Sequence, residues 1–155
     1  MKSHPRAFTL IELIICVAIV AILSVALVLN FRSSILKAKF DDKVIQIVHL
    51  LEQARSYSLT NFLINDVEPA DYYLVSLTGA GLTLYAYGPT LDFTLERVAL
   101  ETDFSITGIS SSESIFYFPH TSEICFDTPD CSSTDKELTF KVVDSTGMYS
   151  KSITV

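Results

Sequence analysis

Apolar residues are concentrated in one unbroken stretch near the start of the chain. The 22-residue window Phe8–Leu29 contains 19 apolar residues, and its only polar ones are Thr9, Glu12 and Ser24. About 20 such residues are enough for a helix to cross the hydrocarbon core of a bilayer. The Leu, Ile, Val and Phe side chains contribute roughly 5–9 kcal/mol toward insertion, against at most about 3 kcal/mol from one carboxylate. Residues 8–29 are therefore predicted to form a transmembrane helix.

The helical pattern continues beyond this window. No Gly or Pro occurs from Arg6 to Val67, and these are the residues that most often interrupt helices. Residues at helical spacing then form a stripe: Phe40, Val44, Ile47, Leu51, Ala54 and Ser58, widened by Val48 and Leu59. Such a stripe is typical of a coiled-coil partner or of a helix on which a sheet docks, and the strand-like remainder favours docking. We predict one helix from about Phe8 to Asn61, with residues 30–61 as its amphipathic half.

From Asp71 onward the hydrophobic period changes to two. Two strand patterns flank a glycine-containing turn, Thr78-Gly79-Ala80-Gly81, which is a hairpin signal. The predicted strands are Tyr72–Leu77, Leu82–Tyr87, Leu91–Leu100, Phe104–Ile109, Ser114–Phe118, Glu137–Val143 and Met148–Val155. The prediction is an α+β fold in which the long N-terminal helix packs on a C-terminal antiparallel β-sheet domain over residues 62–155.

Charge is distributed unevenly along the 155 residues. The formal net charge is −7, but the part after Ser58 alone has four basic and fourteen acidic residues, a balance of −10. A nucleic-acid surface needs clustered Lys and Arg, so this composition argues against nucleic acid as a partner. Lys2 and Arg6 before the apolar window favour a cytoplasmic N-terminus.

The apolar window has two possible interpretations, a cleaved signal peptide or a retained membrane anchor, and the Glu12 carboxylate within it also has two. Ser24-Val25-Ala26 is similar to a signal-peptide cleavage site, but Glu12 interrupts the apolar region and helical pattern follows it, which favours a retained anchor. Glu12 either needs a charged partner inside the membrane or extends toward the headgroup region, since it lies one turn from the start of the window.

The residues around this carboxylate resemble a known processing site. The run from Arg6 to Ile14, Arg-Ala-Phe-Thr-Leu-Ile-Glu-Leu-Ile, resembles the motif of type IV prepilins and type II secretion pseudopilins. The resemblance implies that residues 1–7 are a leader, removed between Ala7 and Phe8 by the prepilin peptidase, and that the new amine of Phe8 is methylated. It further implies that Glu12 pairs with the Phe8 ammonium of a neighbouring subunit during assembly. The family usually has Gly where Ala7 stands.

The resemblance also implies partners and a location. The partners would be other pilin or pseudopilin subunits through the N-terminal helix, the prepilin peptidase, the inner-membrane assembly platform and membrane lipid. The chain would sit in the bacterial inner membrane with its C-terminal domain in the periplasm, and then enter a pilus or pseudopilus.

A second resemblance concerns the C-terminal part. Four segments are similar to FimT-type minor pilins and H-type pseudopilins: Ala54-Arg55-Ser56, Val98-Ala99-Leu100, Phe116–Pro119 and Ser152–Val155. They imply a minor pilin or pseudopilin. The alternatives are a filament-tip binding module, for adhesion or DNA uptake, and an anchored ectodomain that does not assemble. Partly exposed tyrosines would suit adhesion, although alternation places half of Tyr72, Tyr73, Tyr85 and Tyr87 in the core.

Cys125 and Cys131 enclose a short loop on the side that would be periplasmic. An oxidising compartment favours a disulfide, and many pilins close a C-terminal loop in this way. The alternatives are a zinc site with His120 and a calcium site using Asp127, Asp130 and Asp135. We find no nucleophile–base arrangement and no phosphate-binding loop, so no enzyme activity and no cofactor are predicted.

Overall fold

The structure is a computed structural model that describes residues 9–60, 63–64, 68–90, 92–109, 112–120, 123–129, 131 and 137–155. It divides into two compact units, Met1–Lys39 and Phe40–Val155. One helix precedes ten strands in the described part of the chain. The elements are α1 (Leu10–Thr60), β1 (Leu63–Ile64), β2 (Glu68–Pro69), β3 (Tyr72–Thr78), β4 (Gly81–Tyr87), β5 (Asp92–Ala99), β6 (Phe104–Thr107), β7 (Ser112–Tyr117), β8 (Ile124–Phe126), β9 (Thr139–Asp144) and β10 (Ser150–Thr154).

The predicted long helix and the α+β class are confirmed. Helix α1 runs for 51 residues because its sequence contains neither Pro nor Gly to end it. In the first unit its large apolar side chains from Leu10 to Leu27 are all at least 52% exposed. This helix is long and apolar enough to cross a membrane. A lipid environment would cover the apolar side chains that are exposed in the first unit.

The strands of the second unit form antiparallel sheets. The larger sheet has five strands in the order β5-β4-β3-β7-β8, and a second has three in the order β10-β9-β6. Strands β3 and β4 form the predicted hairpin, with Thr78 opposite Gly81 across a two-residue turn. Strands β1 and β2 form a short separate ribbon.

The core of the second unit lies between the C-terminal half of α1 and the sheets. Buried and half-buried residues alternate along β3 and β4, as expected when one sheet face is covered. Phe40 on the helix contacts both Phe104 and Tyr149, with ring centroids 6.1 and 5.9 Å apart. Docking on the sheets therefore accounts for the apolar stripe of the helix.

Three details of the stripe differ from the sequence prediction. Leu50 is fully buried although it was not assigned to the stripe, whereas Val48 and Leu59 are 36% and 54% exposed. The reason is geometric, because Ile47, Leu50, Leu51 and Ala54 follow the i, i+3, i+4, i+7 spacing of one helix face. Val48 lies beside that face and borders a groove.

The sequence prediction also missed short strands. Strand β8 has only three residues and was read as a loop, and β1 and β2 have two residues each. Runs this short contain too few alternations to be distinguished from a turn. The other strands agree with their predicted ranges to within a few residues at each end.

Candidate functional site

The first turn of α1 contains a reciprocal set of hydrogen bonds between Thr9 and Glu12. The backbone N–H and the hydroxyl of Thr9 both donate to Oε2 of Glu12, each at 2.9 Å. The backbone N–H of Glu12 donates in return to Oγ1 of Thr9 at 3.3 Å. This is a capping box, which satisfies N–H groups that have no partner within the helix.

This cap was not among the features predicted from the sequence, although its signal is present there. Thr-x-x-Glu directly before an apolar run marks a helix start, and residues 9–12 fit that pattern. The predicted cleavage and methylation residues, Ala7 and Phe8, lie outside the described residues. The structure therefore gives Glu12 a local partner, and its contact with a neighbouring subunit stays a prediction.

The helix beyond the cap is compatible with an apolar surrounding. The Ser24 hydroxyl donates to the backbone carbonyl of Val20 at 2.7 Å, so this polar group is satisfied inside its own helix. Cys16 is a free thiol and is exposed. Apart from Glu12, Cys16 and Ser24, residues 10–27 thus expose hydrocarbon surface.

The predicted pairing of Cys125 with Cys131 is present as a disulfide, with Cα atoms 5.0 Å apart. The bond joins β8 to the segment that follows it. Disulfide formation excludes the alternative zinc site, because the thiolates that would bind the metal are consumed. His120 is exposed in the turn three residues after β7, where its backbone N–H donates to the Ser58 carbonyl oxygen at 3.0 Å.

The acidic loop gives no calcium site within the described residues. Asp127 is exposed, whereas Asp130 and Asp135 lie outside them. Over the described ranges, no group of three or more His, Cys, Asp and Glu side chains is arranged to hold a metal ion.

Tyrosines gather on the outer face of the five-stranded sheet. Tyr72 on β3 lies opposite Tyr87 on β4, and their rings stack with centroids 4.9 Å apart. The ring centroid of Tyr85 lies 6.2 Å from that of Tyr87. These three are half-buried. Tyr73 is fully buried, and burial raises its pKa to about 12. Three of the four candidate tyrosines therefore remain on the outer surface, rather than the half that alternation alone predicts.

Asp144 is a buried carboxylate whose role was not predicted from the sequence. It lies at the end of β9 and accepts hydrogen bonds from the Thr146 hydroxyl, the Thr146 N–H at 3.2 Å and the Tyr149 N–H at 2.8 Å. Burial opposes its ionisation, but these hydrogen bonds outweigh burial and hold the pKa of Asp144 below its ordinary value. The carboxylate organises the β9–β10 turn, which is a structural role.

Comparison with protein families gives a match over the N-terminal part of the chain. Residues 2–28 match the prokaryotic N-terminal methylation motif, which supports a type IV pilin-like precursor. Neither a search of curated proteins nor a search of solved structures finds a match to this chain. The N-terminal apolar helix and the motif together fit a pilin anchored in the inner membrane.

Proposed function

We propose that the chain is a minor pilin or pseudopilin, a structural subunit of a type IV pilus or type II secretion pseudopilus. The match of residues 2–28 to the methylation motif is the observation that carries the proposal. Prepilin peptidase removes residues 1–7, and Phe8 becomes the methylated N-terminus. The mature helix then waits in the inner membrane until it is extracted into a filament.

The assembly residue in this proposal is Glu12. Within an apolar helix a carboxylate is costly unless a positive partner is near. In the proposed filament the partner is the Phe8 ammonium of a neighbouring subunit, and pairing sets the axial register. The capping box supports this role, because its hydrogen bonds to Thr9 hold the Glu12 carboxylate at the N-terminal end of the helix. In the proposed filament, that is the end at which the Phe8 ammonium lies.

The assembly test separates the charge of Glu12 from its capping function. Glu12→Gln keeps a side-chain oxygen that can accept from Thr9 but removes the charge, whereas Thr9→Ala weakens the cap and keeps the charge. Leaving one member of a buried ion pair alone costs about 3–5 kcal/mol. We therefore expect Glu12→Gln to lower incorporation into sheared filaments by at least about tenfold, and Thr9→Ala to lower it much less.

Two controls make the comparison interpretable. All variants should fractionate with membranes and carry the same N-terminus by mass spectrometry, so that insertion and processing are unchanged. Normal incorporation of Glu12→Gln would remove the proposed charge pairing, and failure of Thr9→Ala alone would assign Glu12 to capping.

The finer assignment rests on the FimT-type and H-type resemblance. Several of its residues occupy core positions here, including Ala54, Phe116 and Ile153, so the shared segments coincide with the packing of the C-terminal unit. Deletion of the gene, scored in parallel for surface filaments and protein secretion, distinguishes a pilus subunit from a secretion subunit. If the deletion impaired neither surface filaments nor protein secretion, the proposal would be contradicted.

A further inference from the structure

A groove of about 390 Å³ crosses the second unit beside α1. Its floor is the helix face of Val48, Leu51 and Arg55, and its walls come from different sheets. Ile124 of β8 contributes from the five-stranded sheet, and Ile153 of β10 from the three-stranded sheet. Strands β8 and β10 are each the last strand of their sheet. Within the described residues, two sheet edges without a further paired strand therefore border one mostly apolar groove.

The ladder of β10 shows which of its backbone groups point to that edge. Leu138 and Val155 exchange both of their backbone hydrogen bonds, with N···O distances of 3.3 and 3.0 Å. Hydrogen-bonded and non-hydrogen-bonded pairs alternate along an antiparallel ladder. Continuing the register, Ser152 and Thr154 occupy non-hydrogen-bonded positions opposite β9. Their N–H and C=O groups accordingly point away from β9, toward the open side.

Strand β8 has the same property on the opposite wall. The Asp127 N–H donates to the Ser114 carbonyl oxygen at 2.9 Å, which makes these two residues a hydrogen-bonded pair. Because the two kinds of pair alternate, the preceding residue Phe126 is non-hydrogen-bonded toward β7, and so is Ile124. The Phe126 carbonyl oxygen accepts from Thr128. No strand in the described ranges pairs with the outer side of β8 or of β10, so no described strand takes up the outward ladder groups of Ile124, Ser152 and Thr154.

Charge narrows the occupant further. Arg55 is exposed and lines the groove together with Glu52, three residues earlier on the helix, so the helix floor carries one charge of each sign. Burial raises the pKa of Tyr117, which also lines the groove, to about 12, and the Arg55 guanidinium opposes that rise. A segment with a carboxylate opposite Arg55 and a hydroxyl donor toward Glu52 would complement both charges.

We propose that the groove binds an extended, alternately apolar peptide segment of a partner protein, with an acidic residue opposite Arg55, as an added strand between β8 and β10. Addition of a strand to an exposed sheet edge is an established mode of peptide recognition. In this arrangement the backbone of the segment pairs with Ser152 and Thr154 on one side and Ile124 on the other. Its apolar side chains cover the helix floor. The inference does not depend on the pilin assignment.

The test uses the full chain in detergent micelles and a synthetic seven-residue peptide in which valine and threonine alternate around one central aspartate. At millimolar peptide, amide hydrogen exchange at Ser152, Thr154 and Ile124 should slow by about tenfold. A peptide with proline at alternate positions, matched in apolar content, should protect none of these amides. Protection by the proline peptide would indicate apolar binding without strand pairing and would overturn the proposal.

Charge reversal provides the second arm. Arg55→Glu should weaken the aspartate peptide by up to about fivefold and strengthen its lysine counterpart. The matched control is Arg97→Glu on β5 at the far edge of the larger sheet, which should change neither affinity. No protection by the aspartate peptide overturns the proposal. Protection of these amides without any peptide also overturns it. Protection that is independent of protein concentration would mean that the chain itself fills the groove, and protection that rises with concentration would mean that a second copy does.

Discussion

At the scale of single residues, local geometry assigns roles that composition leaves open. Glu12 shows this most clearly, because the free-energy cost of its charge in a membrane indicates an assembly role, whereas its hydrogen bonds to Thr9 show a local capping role. A spacing of three between Thr and Glu was enough to predict the cap. The surroundings of Asp144 were not predictable in this way, because they depend on how the chain turns between β9 and β10.

Gly81 is the first residue of β4 and has a φ of +143°, a backbone angle that residues with a side chain rarely adopt. A Cβ at this position would collide with the Val98 carbonyl oxygen on β5. Gly81→Ala should therefore lower the free energy of unfolding by about 1–3 kcal/mol. Gly79→Ala in the same turn is the control, because its Cβ would meet nothing within 4 Å. Denaturant unfolding measures both, and equal effects would contradict the account.

Asp144 should make stability depend on acid. Its folded-state pKa lies below the unfolded value, so its stabilisation is present above the unfolded pKa and is lost as pH falls through the folded pKa. Between neutral pH and about pH 3, the melting temperature of the unmodified chain should fall more than that of Asp144→Asn. Asp103→Asn, an exposed carboxylate in the same region, is the control. Parallel curves for the unmodified chain and Asp144→Asn would contradict this role.

At the scale of elements, hydrophobic period was the reliable guide. The amphipathic half of the helix and seven strands followed from it, because each contains repeats of its own period, whereas the first half of the helix followed from an unbroken apolar run. The face of the helix was less well predicted. The residues that are buried depend on where the sheets lie, so Leu50 was missed and Val48 was wrongly included.

The helix face can be tested directly. Leu50 is fully buried whereas Ile45, on the same helix, is 65% exposed. Leu50→Ala should destabilise the chain by about 2–5 kcal/mol through loss of buried surface and formation of a cavity. Ile45→Ala should change stability by no more than about 0.5 kcal/mol. Thermal unfolding followed by near-ultraviolet circular dichroism gives both values, and a similar loss in the two variants would mean that the assigned face is wrong.

At the scale of the whole molecule, the chain combines parts suited to different solvents. The first unit exposes apolar side chains that require lipid or other helices, and the second buries its own core and carries most of the acidic residues. This division was predictable from composition. The groove between β8 and β10 was not, because its walls are brought together from sheets that are distant in sequence, and β8 is too short to detect.

The central claim is that this chain matures as a pilin, and intact-mass analysis with fragmentation of the membrane-extracted protein tests it most directly. The account predicts that residues 1–7 are absent and that the chain begins with N-methylated Phe8. A chain beginning at Met1, or one cleaved after Ala26 as a secretory signal would be, contradicts it.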